Sequence, residues 1–336
     1  MIWYRDNNDD NIMISTRIRL ARNIDGYSFP NALSKDAMSE VRGKIIDAIE
    51  NEKGEIGAFK TVNMSELDSL DRRVMMEQHL ISAELIERPE AAVLVSEDDE
   101  KSVMALEEDH IRIQVIKSGF KLKEAFDAAS LLDDAIEKHL PYAFSERYGY
   151  LTSCPTNTGT GMRASVMMHL PALTMTGNID RIMKSASNLG LEVRGLYGEG
   201  SKAYGALYQL SNRITLGVSE TETLDKLESI AKQIKEREEE ARGLIKDKNE
   251  VADRLWRSLG TLKYARSMSS QEAKSLISDY MLGVGMGIID EKIKQSPIEL
   301  MVLTEPANIV KIAGNTDMDS AERDRKRAEI IRTAVA

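Results

Sequence analysis

The chain holds a single cysteine, Cys154, among its 336 residues, so no intrachain disulfide can form. A reducing compartment is the natural home of such a chain. No apolar run approaches the roughly 18 residues needed to cross a bilayer. The opening MIWYRDNNDD is too polar for a secretory signal. A cytoplasmic protein without membrane association is therefore expected. Positive charge is in deficit: 45 Lys and Arg face 55 Asp and Glu, for a net charge of −10, with a pI near 5.2. So acidic a protein is a poor general binder of nucleic acid, and no direct nucleic-acid contact is expected. Any anion site must come from local clusters of arginine. Internal repeats, low-complexity tracts and long linkers are also missing. No second His or Cys cluster stands at ligand spacing, so no protein-held metal is expected. What is present is 42% apolar side chains, ample for one large or two modest cores.

Periodicity divides the chain near residue 220. Residues 12–21 read as a strand, with Ile14, Ile18 and Leu20 on one face and Ser15, Arg17 and Arg19 on the other. Helical spacing is expected over 34–52, 64–86, 122–140, 162–176 and 178–189. Strands are expected at 91–96, 102–106, 111–116, 149–153 and within 204–218. After residue 220 helical patterns dominate, beginning with Leu224, Leu227, Ile230 and Ile234 among many charges. The organisation read from this pattern is a mixed α/β domain over 1–220 and a helical domain over 221–336.

Four segments carry chemistry. In Ser15-Thr16-Arg17-Ile18-Arg19, two arginines at i, i+2 point their guanidinium groups to one side of a strand, which suits phosphate oxygens. Taken alone, that face reads as an exposed strand face that pairs with acidic neighbours. Glu107-Glu108-Asp109-His110-Ile111-Arg112 places three acids at a turn, which alone reads as a solvated hairpin tip. Cys154-Pro155-Thr156-Asn157-Thr158-Gly159-Thr160-Gly161-Met162-Arg163 is a small-residue loop that lets backbone approach a ligand. The helix expected after it would offer its N-terminus to an anion beside Arg163. It lacks the Gly-Lys-Ser/Thr ending of a P-loop. Arg194-Gly195-Leu196-Tyr197-Gly198-Glu199-Gly200-Ser201 is a glycine-rich loop with one acid. The string Gly283, Gly285 and Gly287 follows no strand and reads as packing or a bend.

Together STRIR, EEDHIR, CPTNTGTGMRASV and RGLYGEG resemble the phosphagen (guanidino) kinase family, in that family's order, over about residues 12–218. Within it the chain is most similar to bacterial protein arginine kinases of the McsB type. STRIR begins at Ser15, leaving no room ahead of it for the helical domain that encloses a small substrate. The segment Arg323-Asp324-Arg325-Lys326-Arg327-Ala328 resembles the RDxxRA motif of those enzymes. The chain departs from the family in Met167, where many members carry a histidine near the nucleotide base, and in Thr158, where an aliphatic residue is usual.

The resemblance implies an α+β fold: a mostly antiparallel sheet flanked by helices, followed by a smaller all-α domain. It implies transfer of the γ-phosphoryl group of ATP, with Mg2+, to arginine in proteins. Ser15, Arg17, Arg19, Arg112, Arg163 and Arg194 match the family's ATP phosphate-binding positions. Glu108 and Glu199 match its substrate-gripping glutamates, with Glu108 as principal base. Cys154 would sit beside the acceptor guanidinium as an orienting thiolate, helped by a hydroxyl such as that of Thr156. Arg323, Asp324, Arg327 and Ala328 match a phosphoarginine-binding element. The implied partners are arginine-bearing protein substrates, a transcriptional repressor among them, a zinc-containing activator protein, a Clp ATPase/protease and a second copy in a homodimer. Two other readings remain at this stage: a kinase for a small free guanidine, and a non-catalytic phosphoarginine-binding adaptor.

Overall fold

A computed structural model of the chain describes residues 2–6, 10–196 and 203–336. Eight strands form one sheet in the order β2-β3-β4-β5-β1-β8-β10-β9, and two short strands pair separately. The expected antiparallel sheet flanked by helices is present, with a helical C-terminal region. By packing, the chain falls into two compact units that interleave along the sequence. One holds 1–3, 15–165 and 211–228, and the other 4–14, 166–210 and 229–336.

The first unit contains β1 (Met13–Arg22), helices α1 (Lys35–Asn51) and α2 (Lys53–Ile56), β2 (Phe59–Asn63), α3 (Ser69–Glu77) and α4 (Ala83–Ile86). It continues through β3 (Ala92–Ser96), β4 (Lys101–Ala105), β5 (Ile111–Ser118), α5 (Leu122–Glu137), the hairpin β6 (Phe144–Ser145) and β7 (Gly149–Tyr150), and the start of β8 (Met162–His169). The pairs β2-β3, β3-β4, β4-β5 and β5-β1 are antiparallel. Register sets Arg19 opposite Gln114 and Ala21 opposite Arg112, so Arg17, Arg19 and Arg112 project from one face. Ile18 and Leu20 are buried beneath the other face.

Two expected helices are corrected. Over 64–86 the chain forms only short helices, because Asp68 and Ser82 each cap a new start and His79 breaks the run with φ of 63°. Residues 162–169 form a strand, and helix begins only at Pro171. All of β8 except Arg163 is buried, so its two apolar faces hide the alternation that marks a strand, and its Met and Ala mimic helix composition. The anion-binding helix terminus expected beside Arg163 is therefore absent.

The second unit contains the rest of β8, then α6 (Pro171–Met175), α7 (Ile179–Asn188), β9 (Leu191–Gly195), most of β10 (Leu207–Asn212) and most of α8 (Glu220–Ile245). It ends in α9 (Asn249–Tyr264), α10 (Ser270–Gly285), α11 (Pro297–Leu303), α12 (Pro306–Ala313) and α13 (Ser320–Val335). Leu255, Leu259, Ile277, Leu300, Ile309 and Ile331 are among its core residues. Gly285 is required by crowding: a Cβ there would lie 2.3 Å from the Asn11 side chain and 2.9 Å from the Arg242 guanidinium. The packing role read for the glycine string is thus explained at its middle member.

Burial holds His79 and His169 neutral, each with its pKa pulled down to about 3, helped by Arg17 and Arg242 respectively. An unfolded histidine titrates near 6.5. Between those values the unfolded chain binds the extra protons, so stability is complete above about pH 6.5 and is lost as pH falls. The melting temperature should fall steadily from pH 7 to pH 5, and His169→Gln should flatten that slope. A slope unchanged in the variant would contradict this account.

Candidate active site

The first unit gathers arginines on one face of its sheet. Burial, followed by repulsion from Arg163 and Arg112, pulls the Arg17 pKa down to about 10. Arg19 is lowered by burial and then by Arg17, Arg112 and Arg163, with Glu107 opposing. Four guanidinium groups are thus close enough to oppose one another's charge. Arg19 Nε is buried and has no hydrogen-bond partner among the described residues. Such a donor calls for an acceptor from outside, and clustered cations call for an anion. Arg163 Nη2 donates to Ser211 Oγ at 3.1 Å, which fixes its reach from β8. Ser15 lies buried on β1, opposite Ser118.

The acids sort themselves by environment. The turn between β4 and β5 starts at Leu106, held at φ of 63°, with its N–H donating to His110 O at 2.9 Å. That strained conformation aims the next two side chains. Glu107 is fully buried and spent on structure: it accepts from Arg112 Nη1 at 2.6 Å, from the Glu108 N–H at 2.9 Å and from the Ser82 hydroxyl. Glu108 is the accessible one, with 36% of its side chain exposed. Its Oε2 accepts from Arg112 Nη2 at 2.9 Å and from Asn157 Nδ2 at 3.5 Å. Arg112 therefore bridges a buried and an accessible carboxylate.

Below the turn, Asp109 accepts from Asn23 Nδ2 and from the Ser153 N–H, both at 2.7 Å. His110 is buried, accepts from the Ile24 N–H at Nδ1 and faces Ser28 O at 2.9 Å through Nε2. Both contacts are structural, and burial lowers its pKa. These bonds tie the acidic turn to the loop that carries Cys154. In that loop Cys154 Sγ lies 3.0 Å from Thr156 Oγ1, the hydroxyl singled out from sequence. The loop is closed by Tyr150 and Gly159, whose N–H groups donate to each other's carbonyls at 2.8 and 3.2 Å. Gly159 has φ of 116°, and a Cβ there would lie 2.1 Å from Thr215 O, so no other residue fits.

Arg22 supports this region from beneath. Its guanidinium pairs with Asp133 at 2.7 Å, donates to Thr160 O at 3.0 Å and lies 3.5 Å from the Tyr150 ring centroid. Sequence reasoning assigned no role to Arg22, Asp133, Asn23, Asn157 or Glu107, because the first four act through partners 49 to 111 positions away and Glu107 acts through Arg112, already credited. It also passed over His79, whose neutral imidazole lies close enough to Arg17 to feel its charge and packs edge-on against Trp3 at 5.4 Å. A lone histidine in a polar stretch gave no signal.

The other sequence-predicted residues belong to the second unit or fall outside the described residues. Arg194 sits on β9 in the second unit, 67% exposed and 2.7 Å from Glu192. Met167 is buried in β8. Glu199 falls outside the described residues. On α13, Arg323 Nη1 donates to Met318 O at 2.7 Å, and Ala328 is buried. Arg327 is only 2% exposed and is committed to Thr304 O and Met268 O, both at 2.9 Å, and to Asp324. It pins α13 to the residues ahead of α10 and behind α11. Arg327→Ala should lower stability by about 1–3 kcal/mol for each carbonyl left without a donor. A thermal or urea melt within error of wild type would contradict this placement.

Comparison with known proteins shows the family. Residues 40–241 match the family model described as "ATP:guanido phosphotransferase, C-terminal catalytic domain". Residues 248–336 match "Protein-arginine kinase McsB C-terminal domain". The protein-arginine kinase of Pelotomaculum thermopropionicum is 47% identical over 336 residues, covering 98% of this chain and 94% of its own length. That of Bacillus subtilis is 46% identical over 327 residues, covering 96% and 90%. Among solved structures, the duplicated taurocyamine kinase of Schistosoma mansoni with bound transition-state analogue components aligns with a TM-score of 0.62 at 25% identity, over 78% of this chain and 38% of that one. Lombricine kinase aligns at 0.60 and 24% identity over 68% and 67%, a likeness of fold.

Proposed function

The chain belongs to the protein-arginine kinase family, a family of ATP-dependent phosphotransferases, and from that premise we propose how its own residues carry out the transfer. The observation that carries the reading is the division of labour between two adjacent carboxylates. Glu107 is buried and holds Arg112, while Glu108 remains accessible between Arg112 and Asn157 of the Cys154 loop. A guanidinium is cationic and a poor nucleophile until a proton is drawn off. Glu108 grips an edge of the acceptor and takes that proton as nitrogen bonds to the γ-phosphorus and ADP departs. Arg17, Arg19, Arg112 and Arg163 neutralise the phosphates and hold the nucleotide in line. Mg2+ would arrive with ATP and would supply further neutralisation of phosphate charge, with few protein ligands needed. His79, kept neutral, adds a contact next to Arg17 without adding charge. Cys154 orients the acceptor.

The acceptor is arginine within a protein. Free arginine and an arginine-rich protein such as casein, offered together with labelled ATP and magnesium, should compete unequally, with label accumulating on casein. Label confined to free arginine would instead support the small-molecule kinase. Among the described residues no helix is long and apolar enough to cross a membrane, which fits a cytoplasmic enzyme. On the family resemblance we also propose a zinc-containing activator, a repressor among the substrates, delivery of marked proteins to a Clp protease, and a homodimer. Phosphoarginine would be read at Arg323 and Asp324, on a surface that Arg327 and Ala328 hold from inside.

A further inference from the structure

We propose that two segments clasping the Cys154 loop form an apolar platform for the polypeptide on either side of the target arginine. The preferred substrate is then an extended segment with aromatic or aliphatic side chains a few positions from that arginine. This inference rests on the protein-arginine kinase reading and names the substrate class of the same site.

The loop from Tyr150 to Gly159 presents Cys154 and is held from two sides. On one side the hairpin of β6 and β7 runs directly into it, with Phe144 opposite Tyr150 and their rings edge-on at 5.3 Å. On the other side Thr215 donates its hydroxyl to Thr156 O at 2.9 Å and Thr158 O at 2.8 Å, and accepts from the Thr160 N–H at 3.0 Å. Both segments carry large apolar side chains in water: Phe144 is 59% exposed, Tyr148 44%, Ile214 48% and Leu216 50%. Single exposed hydrophobics are ordinary on any surface. Here four of them lie on the two segments hydrogen-bonded to one catalytic loop. The base beneath is rigid, since the Arg22 guanidinium is paired with Asp133 and packed under Tyr150. Rigid apolar contacts lose little entropy on binding.

Continuity with the acceptor site identifies the occupant. Asn157 of that loop donates to Glu108 at 3.5 Å, and an extended chain advances about 3.3 Å per residue, so the polypeptide flanking an arginine held at Glu108 runs beside the loop. A free guanidine has nothing to place there.

The test uses two single-arginine peptides of equal charge. One carries Leu and Phe two to five positions away on both sides, and the other Ser and Gly. The full-length protein should phosphorylate the apolar peptide with a kcat/KM about tenfold higher, the low end of hydrophobic discrimination. The variants Y148S and I214S/L216S should each reduce that preference, while keeping the wild-type rate on the polar peptide, KM for ATP and melting temperature. Equal use of both peptides by the wild type overturns the proposal, as does a preference retained by both variants. A variant that loses a dimer in sedimentation yet keeps its preference would assign the patch to self-association and overturn it equally. Absence of label on both peptides would instead contradict the kinase reading.

Discussion

Glu108→Gln is expected to slow phosphoryl transfer to protein arginine by about 10²–10⁴-fold, the usual contribution of a positioned general base. The substitution keeps the shape of the side chain and a carbonyl oxygen for Asn157. It removes the negative charge that holds a guanidinium and the site that accepts its proton. Arg112 retains its bond to buried Glu107 at 2.6 Å, so the cation cluster remains in place. KM for ATP should therefore change little while kcat collapses. The matching change at Glu107 should behave differently. That carboxylate is spent on Arg112, Ser82 and the Glu108 backbone, so Glu107→Gln should weaken nucleotide binding and stability together. Equal and purely catalytic losses from both variants would mean that the two acids are not divided in the way the geometry shows.

Asp133→Ala is expected to cost about 3–5 kcal/mol of stability, as breaking one side of a buried ion pair does. For a unit of this size that is a fall in melting temperature on the order of 10 °C. Arg22 and Asp133 are almost fully enclosed, with 3% and 9% of their side chains exposed. Burial raises the Asp133 pKa more than Arg22 lowers it, so the pair exists against a desolvation penalty. Removing the acid leaves the Arg22 charge enclosed without its partner. Because Arg22 also holds Thr160 O and packs under Tyr150, the variant should lose activity below its melting temperature as well, through a loosened Cys154 loop. A melt within about 1 kcal/mol of wild type, the range of an exposed pair, would contradict the anchoring role.

The strand bearing Arg17 and Arg19 was legible because one of its faces is half-buried, which preserves the alternation of polar and apolar residues. The strand bearing Arg163 was not, because enclosure on both sides removes that alternation. The family resemblance picked out Glu108 and Thr156, and the structure sets them respectively beside Arg112 and beside Cys154. The burial that separates Glu107 from Glu108 could not be read from two identical neighbouring letters. It depends on Ser82, 25 positions earlier, and on a left-handed Leu106. The motif around Arg327 was read, by resemblance, as a phosphoarginine-binding element. Its arginine is instead inside, because carbonyls at Thr304 and Met268 supply acceptors that no local pattern announces.

The most direct test of the central claim is the chemical nature of the bond formed. The protein and its Glu108→Gln variant would be incubated with labelled ATP, magnesium and casein, and the labelled casein divided between acid and alkali. A phosphorus–nitrogen bond to arginine predicts label that acid removes and alkali spares, present with wild type and nearly absent with the variant. Acid-stable label, or label that persists undiminished without the Glu108 carboxylate, would contradict the account.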